Sequence, residues 1–358
     1  MTIKTKSVAL PDFKLPSEYN YLKNQTKFLN YLAAFLVKGT IPHAFLFTGI
    51  KGVGKQSAAQ LFSMVCNCAD VASQVLTIRK SSDQAAFREE ITGPCGQCKS
   101  CRKILKGVHP DVILTRPDGS FIKIDQIRAL CQKLALKPYE SKLRFAILSG
   151  ADSMNPEAGN ALLKMLEEPP DRTILILTAE QASDLLPTVG SRCLHIRLNP
   201  IPENDLAVLL KEAHGMDNGE ATAIARISGG SFSKAVSLYK QDWINRRDRL
   251  IREFESLSSK PTGMAISFAE KLSDKKELLP DCLDILMTWL RDLLVYRYSP
   301  KRIIYNDLKD KIEREYGKLT AEILIARIEA VQEAFKRIES NANVRLTLEI
   351  MILQMTGT

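Results

Sequence analysis

Gly49-Ile50-Lys51-Gly52-Val53-Gly54-Lys55-Gln56 constrains this chain more than any other stretch of it. It matches the phosphate-loop pattern G-x-x-x-x-G-K, which places Gly49, Gly54 and Lys55 at set positions and adds Gly52 to the turn. A short apolar run, Ala44-Phe45-Leu46-Phe47, leads straight into the loop, and Lys55 to Val65 reads as a helix after it. Strand, glycine loop and helix form the context in which backbone N–H groups and a helix N-terminus close around phosphate oxygens. The next position departs from the pattern. It takes Ser or Thr where a hydroxyl ligates Mg²⁺, and here it is Gln56; Ser57 is one residue late and points about 100° further round a helix. The strand Arg144 to Leu148 should end in the acid that holds the same metal, and it ends in Ser149-Gly150. The cradle is present and its metal ligands are missing. Phosphate contact through Gly49, Gly52, Gly54 and Lys55 is therefore expected to be weak or vestigial.

Periodicity places the loop in a larger pattern. Thr26 to Val37 reads as a helix with Phe28, Leu29, Leu32, Phe35 and Leu36 on one stripe. Strand signals follow at Val112–Leu114, Arg144–Leu148, Thr173–Thr178 and Cys193–Leu198, with helices at about Asp125–Leu136 and Pro156–Glu167 between them. Pro156 suits a first helical position, and Pro169-Pro170 stops that helix. Strands alternating with helices predict a parallel α/β sheet. Residues 69–94 are polar and read as a surface insertion. After a hinge at Asn199-Pro200-Ile201-Pro202 only helical patterns occur. A small unit with a turn at Gly229-Gly230 comes first, then a longer one with Leu283, Leu286, Leu290, Leu293 and Leu294 at helical spacing, read as core packing. The expected division is 1–200, 201–241 and 242–358.

The formal charge of +9 over 358 residues favours a polyanionic partner, nucleic acid first, with a generic basic surface as the plain alternative. No apolar run has the length of a membrane span, and the first residues lack the apolar core of a signal peptide. A cytoplasmic location is expected, so the eight cysteines are read as metal ligands or core residues. Cys95-x-x-Cys98-x-x-Cys101 brings three thiolates to the spacing of one tetrahedral Zn²⁺, with Cys66 or Cys68 upstream for the fourth place. Nothing around it supplies a general base, so a structural zinc is expected. His109 is a conceivable ligand, but His109-Pro110-Asp111 leads into a strand and reads as a turn. Asp152 reads as a cap of the helix beginning near Pro156 or a loop residue, and Glu167-Glu168 as a solvated helix end.

Gly159-Asn160-Ala161-Leu162-Leu163-Lys164-Met165-Leu166-Glu167-Glu168-Pro169-Pro170 and Ser191-Arg192-Cys193 resemble signatures of the bacterial clamp-loader branch of AAA+ proteins. Gly107-Val108-His109-Pro110-Asp111 and Ile124-Asp125-Gln126-Ile127-Arg128 resemble further signatures of that branch. The likeness implies an α/β P-loop AAA+ domain, a small helical lid and an all-α collar that joins subunits. It implies Zn²⁺ on Cys68, Cys95, Cys98 and Cys101, with Cys66 a bystander; the gap between Cys68 and Cys95 is longer here than in the branch. Motor subunits of the branch keep the loop hydroxyl, two strand-end acids and a sensor arginine, where this chain has Gln56, Ser149, Gly150 and Ser233. Arg192 is kept, and the resemblance implies that it works in trans as an arginine finger in a neighbour's ATP site. The chain is thus similar to the branch's non-motor subunit type. The implied role is in loading a sliding clamp onto primed DNA for a DNA polymerase III holoenzyme. The implied partners are gamma/tau-type motor subunits, the clamp-opening delta subunit, the clamp, and DNA through the hetero-oligomer. No intrinsic ATPase is expected. The alternatives are an ATP-hydrolysing gamma/tau-type motor subunit and a stand-alone zinc protein that binds nucleic acid.

Overall fold

The computed structural model describes residues 13–80, 93–257, 261–274, 276–340 and 342–356. One compact unit runs to Pro202 and takes in Gly230–Ser233; the other comprises Glu203–Gly229 and the chain from Lys234 onward.

The first unit is built on five parallel strands: β1 (Ala44–Thr48), β2 (Val112–Thr115), β3 (Arg144–Leu148), β4 (Thr173–Ala179) and β5 (Leu194–Arg197), in the order β2-β3-β4-β1-β5. β1, β3 and β4 are buried along their whole length, as a sheet covered on both faces requires. Their alternate residues enter two separate cores. Phe45, Phe47, Phe145, Ile147, Ile174 and Ile176 face one; Leu46, Ala146, Leu148, Leu175 and Leu177 face the other. The first core is closed by α1 (Thr26–Lys38) and α2 (Lys55–Asn67), where Phe62 meets Phe35, Phe45 and Phe145 at ring-centroid distances of 5.0–6.3 Å. Continuing from α2, α3 (Ala69–Lys80) and α4 (Lys99–Leu105) lie on the same side through Val71, Cys101 and Ile104. α5 (Ile124–Ala135), α6 (Pro156–Glu167) and the short α7 (Pro187–Gly190) cover the other face.

One expectation changes, and one open alternative is settled. Ala69–Lys80 is helix, with Val71 fully buried, where a polar insertion was expected; residues 81–92 of that segment lie outside the described residues. The cap of α6 is Asn155, whose side chain accepts the Ala158 N–H at 2.9 Å. Asp152 instead sits on a short turn, Ala151–Ser153. Asn155 wins because it directly precedes Pro156, the residue that starts the helix.

The second unit is helical: α8 (Glu203–His214), α9 (Asn218–Ile227), α10 (Phe232–Lys240, of which Lys234 onward belongs here), α11 (Trp243–Leu257), α12 (Thr262–Ser273), α13 (Leu279–Tyr296), α14 (Lys309–Glu315), α15 (Ala321–Glu339) and α16 (Val344–Thr356). Leu283, Leu286, Leu290 and Leu293 of α13 are buried as the spacing predicts. Its charged centre is Arg247, 1% exposed, whose guanidinium pairs with Asp307 and Asp248 and faces the Trp243 and Tyr305 rings. Such a buried cation is tolerable because carboxylates and ring faces replace its water. No helix among the described residues is long and apolar enough to cross a membrane.

Candidate functional site

β1 delivers the chain to Gly49 at the sheet's C-terminal edge, where the loop turns tightly back on the strands. Gly49 has φ +148°, and a Cβ there would lie 2.6 Å from the Leu198 carbonyl oxygen. Gly54, at φ +102°, is the N-cap of α2, and its Cβ would meet the Tyr21 ring at 2.6 Å. Both positions therefore require glycine. Lys55 does not reach outward. Its ammonium donates to the Gly49 and Ile50 carbonyls at 2.5 and 3.1 Å. Burial lowers its pKa, against the raising influence of Glu180 and Asp152 nearby.

No carboxylate stands where the metal-holding acid was sought. Ser149 donates its N–H to Thr115, Gly150 donates its own to the Thr178 hydroxyl, and Ser153 donates to the Gly150 carbonyl. Gln56 accepts from Arg116 at 3.4 Å. Ser57 is the hydrogen-bonding partner of the Tyr21 hydroxyl. The Tyr21 ring also stacks on Phe232 at 4.3 Å and 7°, and Ser233 donates its N–H to the Gly52 carbonyl. Nothing in the local sequence signals that Tyr21 and Phe232 cover this loop; their meeting is a tertiary contact.

The cysteine cluster forms. The sulfurs of Cys68, Cys95, Cys98 and Cys101 all lie within 4.8 Å of one another, with Cys68 and Cys95 at 3.6 Å. A tetrahedral S₄ site with Zn–S of about 2.3 Å needs sulfurs about 3.8 Å apart, so the donor set and its spacing fit. The N–H groups of Cys95 and Cys98 point at the Cys68 and Cys95 sulfurs, and such bonds stabilise thiolates. Cys68 is lowered to about 5, chiefly because the Cys101 thiol donates to it, and Cys101 is raised by the same bond. Cys66 stays outside the cluster, and burial pushes its thiol up. His109 is outside it as well. It accepts the Asp111 N–H and meets the Ser141 hydroxyl, so the His-Pro-Asp turn is structural. Asp111 is fully buried and accepts the N–H groups of Tyr139, Glu140 and Ser141. Arg144 donates to Asp111 and to the carbonyls that end α5, at Lys133, Leu136 and Lys137.

Arg192 lies on the surface turn between α7 and β5, 37% exposed, donating to the Thr188 carbonyl and paired with Glu167 at 2.6 Å. Glu167 ends α6, so the two signature segments touch through this ion pair. The adjoining Cys193 packs against the second core, and burial raises its thiol to about 12.

A parallel sheet carrying a glycine phosphate loop, followed by a helical region, defines a P-loop α/β protein, here with a loop stripped of metal ligands. A family model described as DNA polymerase III, delta subunit, matches residues 24–202, and one described as its C terminal matches 241–357. The DNA polymerase III delta-prime subunit of Bacillus subtilis is 31% identical, over 92% of this chain and 96% of that one. The delta-prime subunit of Pseudomonas aeruginosa is 28% identical over 87% and 91%. The tau subunit of B. subtilis is 23% identical, over 96% of this chain and 62% of tau. The chain belongs to the family of DNA polymerase III delta-prime subunits.

Proposed function

We propose that this chain is a non-motor subunit of a DNA polymerase III clamp loader, which helps place a sliding clamp on primed DNA and completes a neighbour's ATP site with Arg192. One observation carries this reading. The loop and strand end that would hold Mg²⁺ present Gln56, Ser149 and Gly150, while Arg192 is exposed and held by a surface ion pair and one bond to the Thr188 carbonyl. Such a pair is worth about 0–1 kcal/mol, so a neighbour's phosphate can compete for the guanidinium. Its planar charge suits the oxygens of a transferring phosphoryl group.

The remaining assignments follow the same reading. Gly49, Gly52, Gly54 and Lys55 form a phosphate loop with weak or vestigial affinity, because the lysine is engaged by the loop itself. Cys68, Cys95, Cys98 and Cys101 hold one structural Zn²⁺, a closed four-thiolate set that leaves no position for substrate. Within the helical region, 201–241 acts as a lid and 242–358 as the collar that joins gamma/tau-type motor subunits and a delta subunit. The site of action is the cytoplasm, and DNA is met through the assembly.

The test is steady-state ATP turnover by the isolated, zinc-loaded chain. In-line transfer needs a bound Mg²⁺ and a positioned water, so turnover at background is expected. Turnover that disappears in Lys55→Ala would make the chain a motor subunit and overturn the reading.

A further inference from the structure

We infer that the four-cysteine cluster is the clasp that seats Tyr21 on the phosphate loop, so that the metal site holds this loop closed. The inference rests on the cluster binding zinc, as proposed above. The connection is a short run of chain, residues 13–24, touched at one end by the cysteine loop and at the other by the P-loop. At the cysteine end the fit is close. A Cβ on Gly93 would lie 2.8 Å from the Lys14 carbonyl oxygen and 3.1 Å from the Phe13 ring, and one on Gly96 would touch Pro16. Phe13, Leu15, Tyr19 and Leu22 share one core with Cys68 and Cys101.

From Pro16 the chain enters a 3₁₀ helix, Ser17–Asn24, which carries Tyr21 and Leu22 onto Gly54, at 2.6 and 3.0 Å from the position of its absent Cβ. The far end is pinned by Gln25, whose side chain donates to the Asn199 carbonyl and accepts the Asn199 N–H. Tyr21 then stacks on Phe232, and the neighbouring Ser233 N–H holds the Gly52 carbonyl. A segment braced at both ends this way has little freedom of its own. Unbracing the cysteine end leaves eight residues of 3₁₀ helix held by Gln25 and by side-chain packing, and isolated 3₁₀ helix is weak. The zinc site and the phosphate loop are then one mechanical unit, joined through this segment as well as through α2, which runs from Lys55 to Asn67 just before Cys68.

Hydrogen exchange of the full chain, read by mass, tests this together with zinc content. In the parent stripped by chelation, amides of 17–24 and 49–55 should exchange about tenfold faster or more, with α5 and α6 on the other sheet face unchanged and readdition of zinc restoring protection. Gly93→Ala, at φ +89° and against Lys14, should loosen the same two segments with zinc retained. Tyr21→Ala should keep zinc and loosen 49–55 but not 93–101. Zinc-loaded Gly93→Ala and Tyr21→Ala chains that exchange like the parent at 49–55 would overturn the inference, as would a stripped parent that loosens only at 93–101. A purified chain without zinc would sink the metal reading instead, and the two substitutions would still test the brace.

Discussion

At the scale of single residues, chemistry is carried by side chains whose surroundings have chosen their state. Cys66 and Cys68 are two residues apart in sequence, yet only Cys68 joins the cluster. Cys66 lies on α2, while Cys68 follows the helix end, where extended backbone turns its sulfur toward the cysteine loop. Metal analysis separates them. Cys68→Ala should lose most of about one zinc per chain, while Cys66→Ala keeps it; the reverse pattern would show that the ligand set is wrong. Gly49, Gly54, Lys55 and the C-x-x-C-x-x-C run were legible in the sequence because their roles depend on spacing along one segment. Tyr21, Phe232 and Glu167 were not, since each acts on a residue from a distant part of the chain.

At the scale of elements, the His-Pro-Asp turn and β3 are fastened by the Asp111–Arg144 pair. Arg144 begins a strand, where a charge reads from sequence as a strand end, and nothing local reveals that it gathers the last carbonyls of α5. Burial raises Asp111, but the N–H groups of residues 139–141 and the Arg144 guanidinium outweigh it, so its pKa is lowered overall. Asp111→Asn leaves a buried guanidinium without its anion, and about 3–5 kcal/mol of stability should go with it near neutral pH. The sign of the pH dependence follows from the lowering. The charged form's contribution is complete above the unfolded aspartate value of about 4 and is lost as pH falls through the lower folded value. Urea melts should therefore show a parent–mutant gap that narrows in acid; a gap that widened there would contradict this. Helix and strand bounds near proline or a glycine turn were legible, as at Pro156–Glu167 and β1. Ala69–Lys80 was not, because a helix half polar in composition and packed through Val71 has little periodic signal.

At the scale of the whole molecule, a phosphate-loop domain lacks the ligands for a metal of its own and carries an exposed arginine, which the proposed function assigns to a neighbouring subunit's site. The residues behind that proposal were legible in the sequence, because four separate positions, Gln56, Ser149, Gly150 and Ser233, depart together while Ser191-Arg192-Cys193 stays. The structure adds that Arg192 pairs with Glu167, and that the phosphate loop is contacted by the Tyr21 ring and engages its own lysine. An arginine finger supplies about 10³–10⁵ in rate at the site that it completes, whereas a surface ion pair supplies nothing to catalysis. The decisive measurement is ATP turnover, stimulated by clamp and primed DNA, in a loader reconstituted from gamma/tau-type and delta subunits with either the parent chain or Arg192→Ala. The mutant should fold, hold zinc and assemble like the parent, and turnover should fall as one site loses its finger. Parent-like turnover and clamp loading by the mutant assembly would show Arg192 to be structural.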